Sequence, residues 1–128
     1  MRLRHHFSVA LLAVGIIVAL GAPAQAHHKP SSYCSRTGDW CQAVARIHGE
    51  RKFVFRSFVH RGDVTICVLA PHDHRDCTNS HFRRAGHGIF QTSVSWHDRF
   101  PQYGRGPYTV TWRQSGSRIG RALGFHVR

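Results

Sequence analysis

The chain has 128 residues, with 18 lysines and arginines against 6 acidic residues, 12 histidines and 4 cysteines. A chain of this length suits one small domain and leaves little room for a second, and its single glutamate, Glu50, leaves paired-carboxylate hydrolysis without a motif. A formal charge of +12 favours anionic partners at long range, among which nucleic acid, acidic cell-wall polymer and anionic lipid all qualify.

Residues 1–26 read as a secretory signal with a helical core. Arg2, Arg4, His5 and His6 precede a 14-residue apolar run over 7–20, and Ala24 and Ala26 form an Ala-x-Ala cleavage site. The run falls short of the roughly 20 residues that span a bilayer, so no transmembrane segment is expected in the mature chain and the protein is placed as secreted or periplasmic. Cleavage leaves 16 basic residues against 6 acidic ones, a net +10, with His27 as the first residue. Residues 27–33 are expected to form a flexible lead-in, and 34–128 a single β domain.

Apolar residues in the mature chain alternate with period 2 and nowhere sustain a helical period. A first strand is predicted near 40–47. "RKFVFRSFVH" puts Phe53, Phe55 and Val59 on one face, Arg61-Gly62-Asp63 turns the chain, and "VTICVLAP" alternates Val64, Ile66 and Val68 against Thr65, Cys67 and Leu69. Together these predict a hairpin. A weaker strand is predicted near 78–84. "IFQTSVSWHD" shows Phe90, Thr92, Val94 and Trp96 on one side, and "PYTVTWRQ" shows Tyr108, Val110 and Trp112. After the Ser115-Gly116-Ser117 turn, Ile119, Leu123, Phe125 and Val127 share a parity. About seven short antiparallel strands predict an immunoglobulin-like β-sandwich, with an open barrel as the competing architecture. The connection "RFPQYGRGP" holds two prolines and two glycines and excludes a central strand.

All four cysteines lie in the mature part, as in an exported, disulfide-stapled domain. Local geometry favours Cys34 with Cys41 and Cys67 with Cys77. Zinc held by four thiolates is the rival, against spacings that lack the paired C-x2-C pattern.

"YCSRTGDWC", the cysteines of "TICVLAP" and "RDC", and the closing "RFPQYGRGPYTVTWRQSGSRIGRALGF" resemble a group of small exported proteins of GC-rich bacteria. That resemblance implies an immunoglobulin-like sandwich and no reaction. The closing strand pair, with an N-terminal histidine, also resembles periplasmic copper carriers of the CopC type. That family places a histidine ligand in the turn between those strands; here the turn is "SGSR" over 115–118, so the resemblance implies only His27 as a ligand.

Three kinds of chemistry follow. A free amine with the His27 imidazole and one further imidazole suits tetragonal Cu(II), and "APHDHRDC" adds His72 and His74 as nitrogen donors for copper or zinc. His48, His60, His81, His87, His97 and His126 are scattered, and charge that they gain on acidification predicts a pH-tuned affinity for anionic surfaces. Arg56, Arg61, Arg83, Arg84, Arg105 and Arg113 are candidate polyanion contacts by exposure pattern. Aromatics interleave with arginines in "KFVFRSF" and "TVTWR", yet the half-buried alternation assigns them to the core, and no specific nucleic-acid module or catalytic constellation is recognised. The expected protein is therefore a monomeric, noncatalytic binder of anionic polymer, with copper or zinc binding as the alternative and a weak hydrolase third.

Overall fold

Alternation along a strand sends successive side chains to opposite faces, and here the inward set is large. Phe53 and Phe55, then Val64, Ile66 and Val68, then Tyr108, Val110 and Trp112 are all buried. The computed structural model describes residues 29–128; the expected signal helix and cleavage site over 1–26, and His27, lie outside the described residues. Eight strands carry the core where the sequence predicts about seven. They are β1 (Ser32–Cys34), β2 (Trp40–Ile47), β3 (Glu50–Ser57), β4 (Gly62–Leu69), β5 (Arg75–Gly86), β6 (Ile89–Ser95), β7 (Gly106–Gln114) and β8 (Ser117–Val127). A 3-10 turn at Pro71–Asp73 and one helical turn, α1 (Trp96–Arg99), complete the elements, so Trp96 leaves the strand predicted for it while remaining buried.

The strands form one antiparallel sheet in the order β1-β2-β3-β6-β5-β4-β7-β8. Two overlapping Greek keys produce that order, β3 lying beside β6 and β7 beside β4 around the β4-β5-β6 meander. The predicted β3–β4 hairpin is therefore not formed. Both edges of β3 are taken, by β2 and β6, and both edges of β4, by β5 and β7. The intervening chain crosses the end of the sheet instead, and Val59, predicted to share a face with Phe53, lies outside β3 in solvent.

Curvature brings the first and last strands together until the sheet is nearly a barrel. On β5, residues 75–82 pair with β4 and residues 83–86 with β6, so the strand turns a corner between partners, with a bulge at Arg84/Gly86. At the seam, buried Gln42 of β2 donates from Nε2 to the Arg121 carbonyl of β8 at 2.8 Å and accepts the Arg121 N–H at Oε1. The Gly124 N–H donates to the Pro30 carbonyl at 2.9 Å, and the Val44 N–H to the Ser31 carbonyl at 2.7 Å. The lead-in expected over 27–33 is thus bonded structure from Pro30 onward, because its carbonyls satisfy donors on both sides of the seam.

Phe55 sits at the centre, edge-on to Phe82 and Trp112 at 5.6 and 5.7 Å. Burying each such side chain contributes about 1.5–3 kcal/mol. The two disulfides are Cys34–Cys41 and Cys67–Cys77, joining residues directly opposite each other in the β1–β2 and β4–β5 pairs. All four thiols are consumed, so the zinc-thiolate rival has no ligands. The double variant Cys67→Ser/Cys77→Ser should lose about 2–3 kcal/mol through the freed unfolded chain. Thermal melts should show this as a fall of about 10–20 °C, and an unchanged melting temperature would refute the stapling role.

Candidate anion-binding site

The sequence "RRAGHGIF" turns from β5 into β6 through three residues with positive φ, Gly86 at 89°, His87 at 53° and Gly88 at 76°. Glycine adopts this left-handed region without steric cost, so the turn is tight and His87 stands at its tip. Arg84 lies directly opposite Phe90 in the β5–β6 register. From the β3–β4 crossing, the Arg61 guanidinium lies over the Phe90 ring at 4.6 Å, while the Arg61 carbonyl accepts from Gln114 Nε2 at 2.7 Å. Arg61, Arg84 and His87 accordingly line one open cleft of about 340 Å³ with Gly86, Gly88, Ile89 and Phe90. No carboxylate lines it. Guanidinium groups present planar forks of N–H donors that match phosphate, sulfate or carboxylate oxygens two at a time.

The opposite face of the same strands continues the charge. Arg56 of β3, Gln91 of β6 and Arg83 of β5 stand in one row across three strands. Arg83 and Arg84 line a second opening of about 230 Å³ with Ser80, His81 and Gln91. Four of the six arginines predicted from the sequence, Arg56, Arg61, Arg83 and Arg84, therefore gather on the neighbouring strands β3, β6 and β5 and the crossing beside them.

The other two stand apart from the clefts. Arg105 is in the connection before β7, where Gly106 packs against Pro71, beyond the far end of β4 from Arg61. Arg113 on β7 lies opposite Thr65 and Arg118 and donates from Nη1 to the Gly116 carbonyl at 3.3 Å. Arg51 has a structural use, its guanidinium 4.4 Å from the Phe125 ring centre, and burial and then Arg46 lower its pKa.

His72 and His74 are at the far end too, beyond β4 in the 3-10 turn and at its C-cap. His72 and Asp73 both take φ of 61°, breaking the extended path that would align the two imidazoles. The His74 ring stacks on Tyr103 at 4.2 Å, and Tyr103 Oη donates to Asp76 Oδ2 at 2.8 Å, which raises the Tyr103 pKa. Among the described residues, no group of three or more His, Cys, Asp or Glu side chains is arranged to hold a metal ion.

Burial shifts one of the histidines, His60. Ser57 Oγ accepts the N–H groups of Val59 at 3.0 Å and His60 at 2.8 Å, which leaves its own hydrogen to donate to His60 Nδ1 at 2.9 Å. Such a bond is accepted by the neutral ring that carries its proton on Nε2, and burial against Phe55 and Phe82 lowers the His60 pKa below 6.5. Because the unfolded chain takes up this proton first, the His60 contribution to stability is complete above the unfolded value. It is lost as pH falls from that value toward the folded one. Melting temperature should drop from about pH 7.5 to about pH 5, and the drop should be smaller in His60→Gln. An equal drop in both proteins would remove His60 as its source.

Exposure pattern in the sequence names Arg61 and Arg84 but misses His87, although Gly-His-Gly between two strand patterns is a turn signal. Compared with known proteins, the chain matches no family model, no curated protein and no solved structure.

Proposed function

We propose that this domain is a noncatalytic binder of anionic polymers outside the cytoplasm, using the Arg61, Arg84 and His87 cleft and the Arg56–Arg83 row beside it. The observation that carries this reading is that Arg61, Arg84 and His87 line one opening whose lining includes no acidic residue. Two disulfides support an oxidising compartment, and no helix among the described residues is long and apolar enough to cross a membrane. The change of partners along β5 supports a flattened, two-layered form of the sheet, in keeping with the resemblance to exported immunoglobulin-like domains. Calorimetric titration with inorganic polyphosphate tests the proposal. Affinity should weaken as salt rises from about 50 to about 300 mM and strengthen on acidification, since imidazoles gain charge as pH falls. Binding that ignores both variables, or no binding at all, overturns it.

A further inference from the structure

Two consecutive apolar side chains, Phe58 and Val59, are 50% and 58% exposed at the crossing between β3 and β4. Their backbone is fixed. The Phe58 N–H donates to the Asp39 carbonyl at 2.9 Å, the Val59 and His60 N–H groups are held by buried Ser57, and the His60 ring packs on Phe55 and Phe82. A turn that only had to reverse the chain would carry Gly, Asn, Asp or Ser; this one holds a phenyl and an isopropyl group out in water.

Their surroundings say what meets them. Phe58 lines an apolar opening with Trp40, Ile89 and Arg56, and Phe58 Cδ1 is 3.9 Å from the point where a Gly88 side chain would begin. Phe58 is therefore bordered by Arg56 on one side and, through Gly88, by the Arg61, Arg84 and His87 cleft on the other. Asp39 is the one carboxylate lining the apolar opening, and its Oδ2 accepts from Thr37 Oγ1 at 2.8 Å. An apolar projection flanked by cations has the two components required for stable attachment to an anionic lipid leaflet, insertion at the acyl boundary and attraction to headgroups. A soluble polyanion has no use for the apolar component.

We infer that the Phe58–Val59 tip docks the protein on an anionic lipid surface, with Phe58 and Val59 entering the headgroup boundary while Arg56, Arg61, Arg84 and His87 contact lipid phosphates. The cationic half of this inference rests on the function proposed above, and the apolar half is independent of it. Sedimentation with vesicles of phosphatidylglycerol and phosphatidylcholine in equal parts tests both halves. Wild-type protein should bind these vesicles and leave pure phosphatidylcholine vesicles free. Phe58→Ser/Val59→Ser should bind the anionic vesicles about 10-fold more weakly while keeping its affinity for polyphosphate. In Phe58→Trp, the introduced indole should shift its emission to the blue on the anionic vesicles. If Phe58→Ser/Val59→Ser binds these vesicles as the wild type does, or Phe58→Trp shows no shift, membrane docking is overturned and polyanion binding stands. If the wild type binds neither vesicles nor polyphosphate, both readings fall.

Discussion

The double variant Arg61→Gln/Arg84→Gln is expected to bind polyphosphate about 100-fold more weakly than the wild type at low salt. Each guanidinium in the cleft can make a charge-assisted hydrogen-bond pair to a phosphate, and a hydrogen bond to a charged group contributes about 1.5–3 kcal/mol. Losing two at the lower value removes about 3 kcal/mol, or two decades of affinity. The informative comparison is Arg105→Gln/Arg113→Gln, which removes the same charge from residues that line neither cleft. At the clefts only the long-range field then changes, so the loss should stay within about 5-fold and vanish as salt screens it. Equal losses in the two double variants would show that net charge alone binds the polymer and that the cleft is incidental. Folding should change little in the first pair, since the contact of Arg61 with Phe90 contributes about 0.5–1 kcal/mol at an exposed site.

Gly120→Val should be the most damaging single substitution at the seam, costing about 2–5 kcal/mol. Gly120 takes φ of 65°, and a Cβ there would lie 2.5 Å from Gln42 Oε1 and 2.8 Å from Phe55 Cε2. Left-handed backbone costs a residue with a side chain about 1–2 kcal/mol, and overpacking a filled core adds about 1–3 kcal/mol. The displaced atoms are the Gln42 carbonyl oxygen that holds the Arg121 N–H and the ring at the centre of the core. A domain of this size has only about 5–15 kcal/mol in total, so thermal melts should show a loss of more than about 8 °C. Gly38 provides the control, because its φ is 77° with nothing within 4 Å of a new Cβ. If Gly38→Val and Gly120→Val melt together, backbone strain accounts for everything and the crowding at the seam contributes nothing.

Much of the layering is legible in the sequence because period 2 is a local property. The inward sets Phe53/Phe55, Val64/Ile66/Val68 and Tyr108/Val110/Trp112 need no knowledge of strand neighbours. Pairing is different. Arg61-Gly62-Asp63 looks like a hairpin turn, but whether β3 and β4 meet depends on which other strands occupy their edges, and β6 and β5 do so from later in the chain. The site follows the same division. Exposure distinguishes Arg61 and Arg84 from core residues yet ranks Arg105 and Arg113 beside them, because exposure carries no information about neighbours. His87 is hidden among many histidines until the β5–β6 turn sets it next to two arginines. At His72 and His74 the parity rule fails because left-handed backbone at His72 and Asp73 ends the extended geometry on which parity depends.

The seam also sets a timetable. Pro30, near the start of the described residues, bonds Gly124 of β8, and Gln42 waits for Arg121 of the same strand. A chain emerging from its N-terminus holds unpaired strand edges until β8 has been made, and contacts of such large sequence separation form slowly. During that interval the edges are templates for pairing with another chain. The Cys34–Cys41 and Cys67–Cys77 hairpins, by contrast, can lock as soon as they appear, so the molecule acquires its staples early and its closure last.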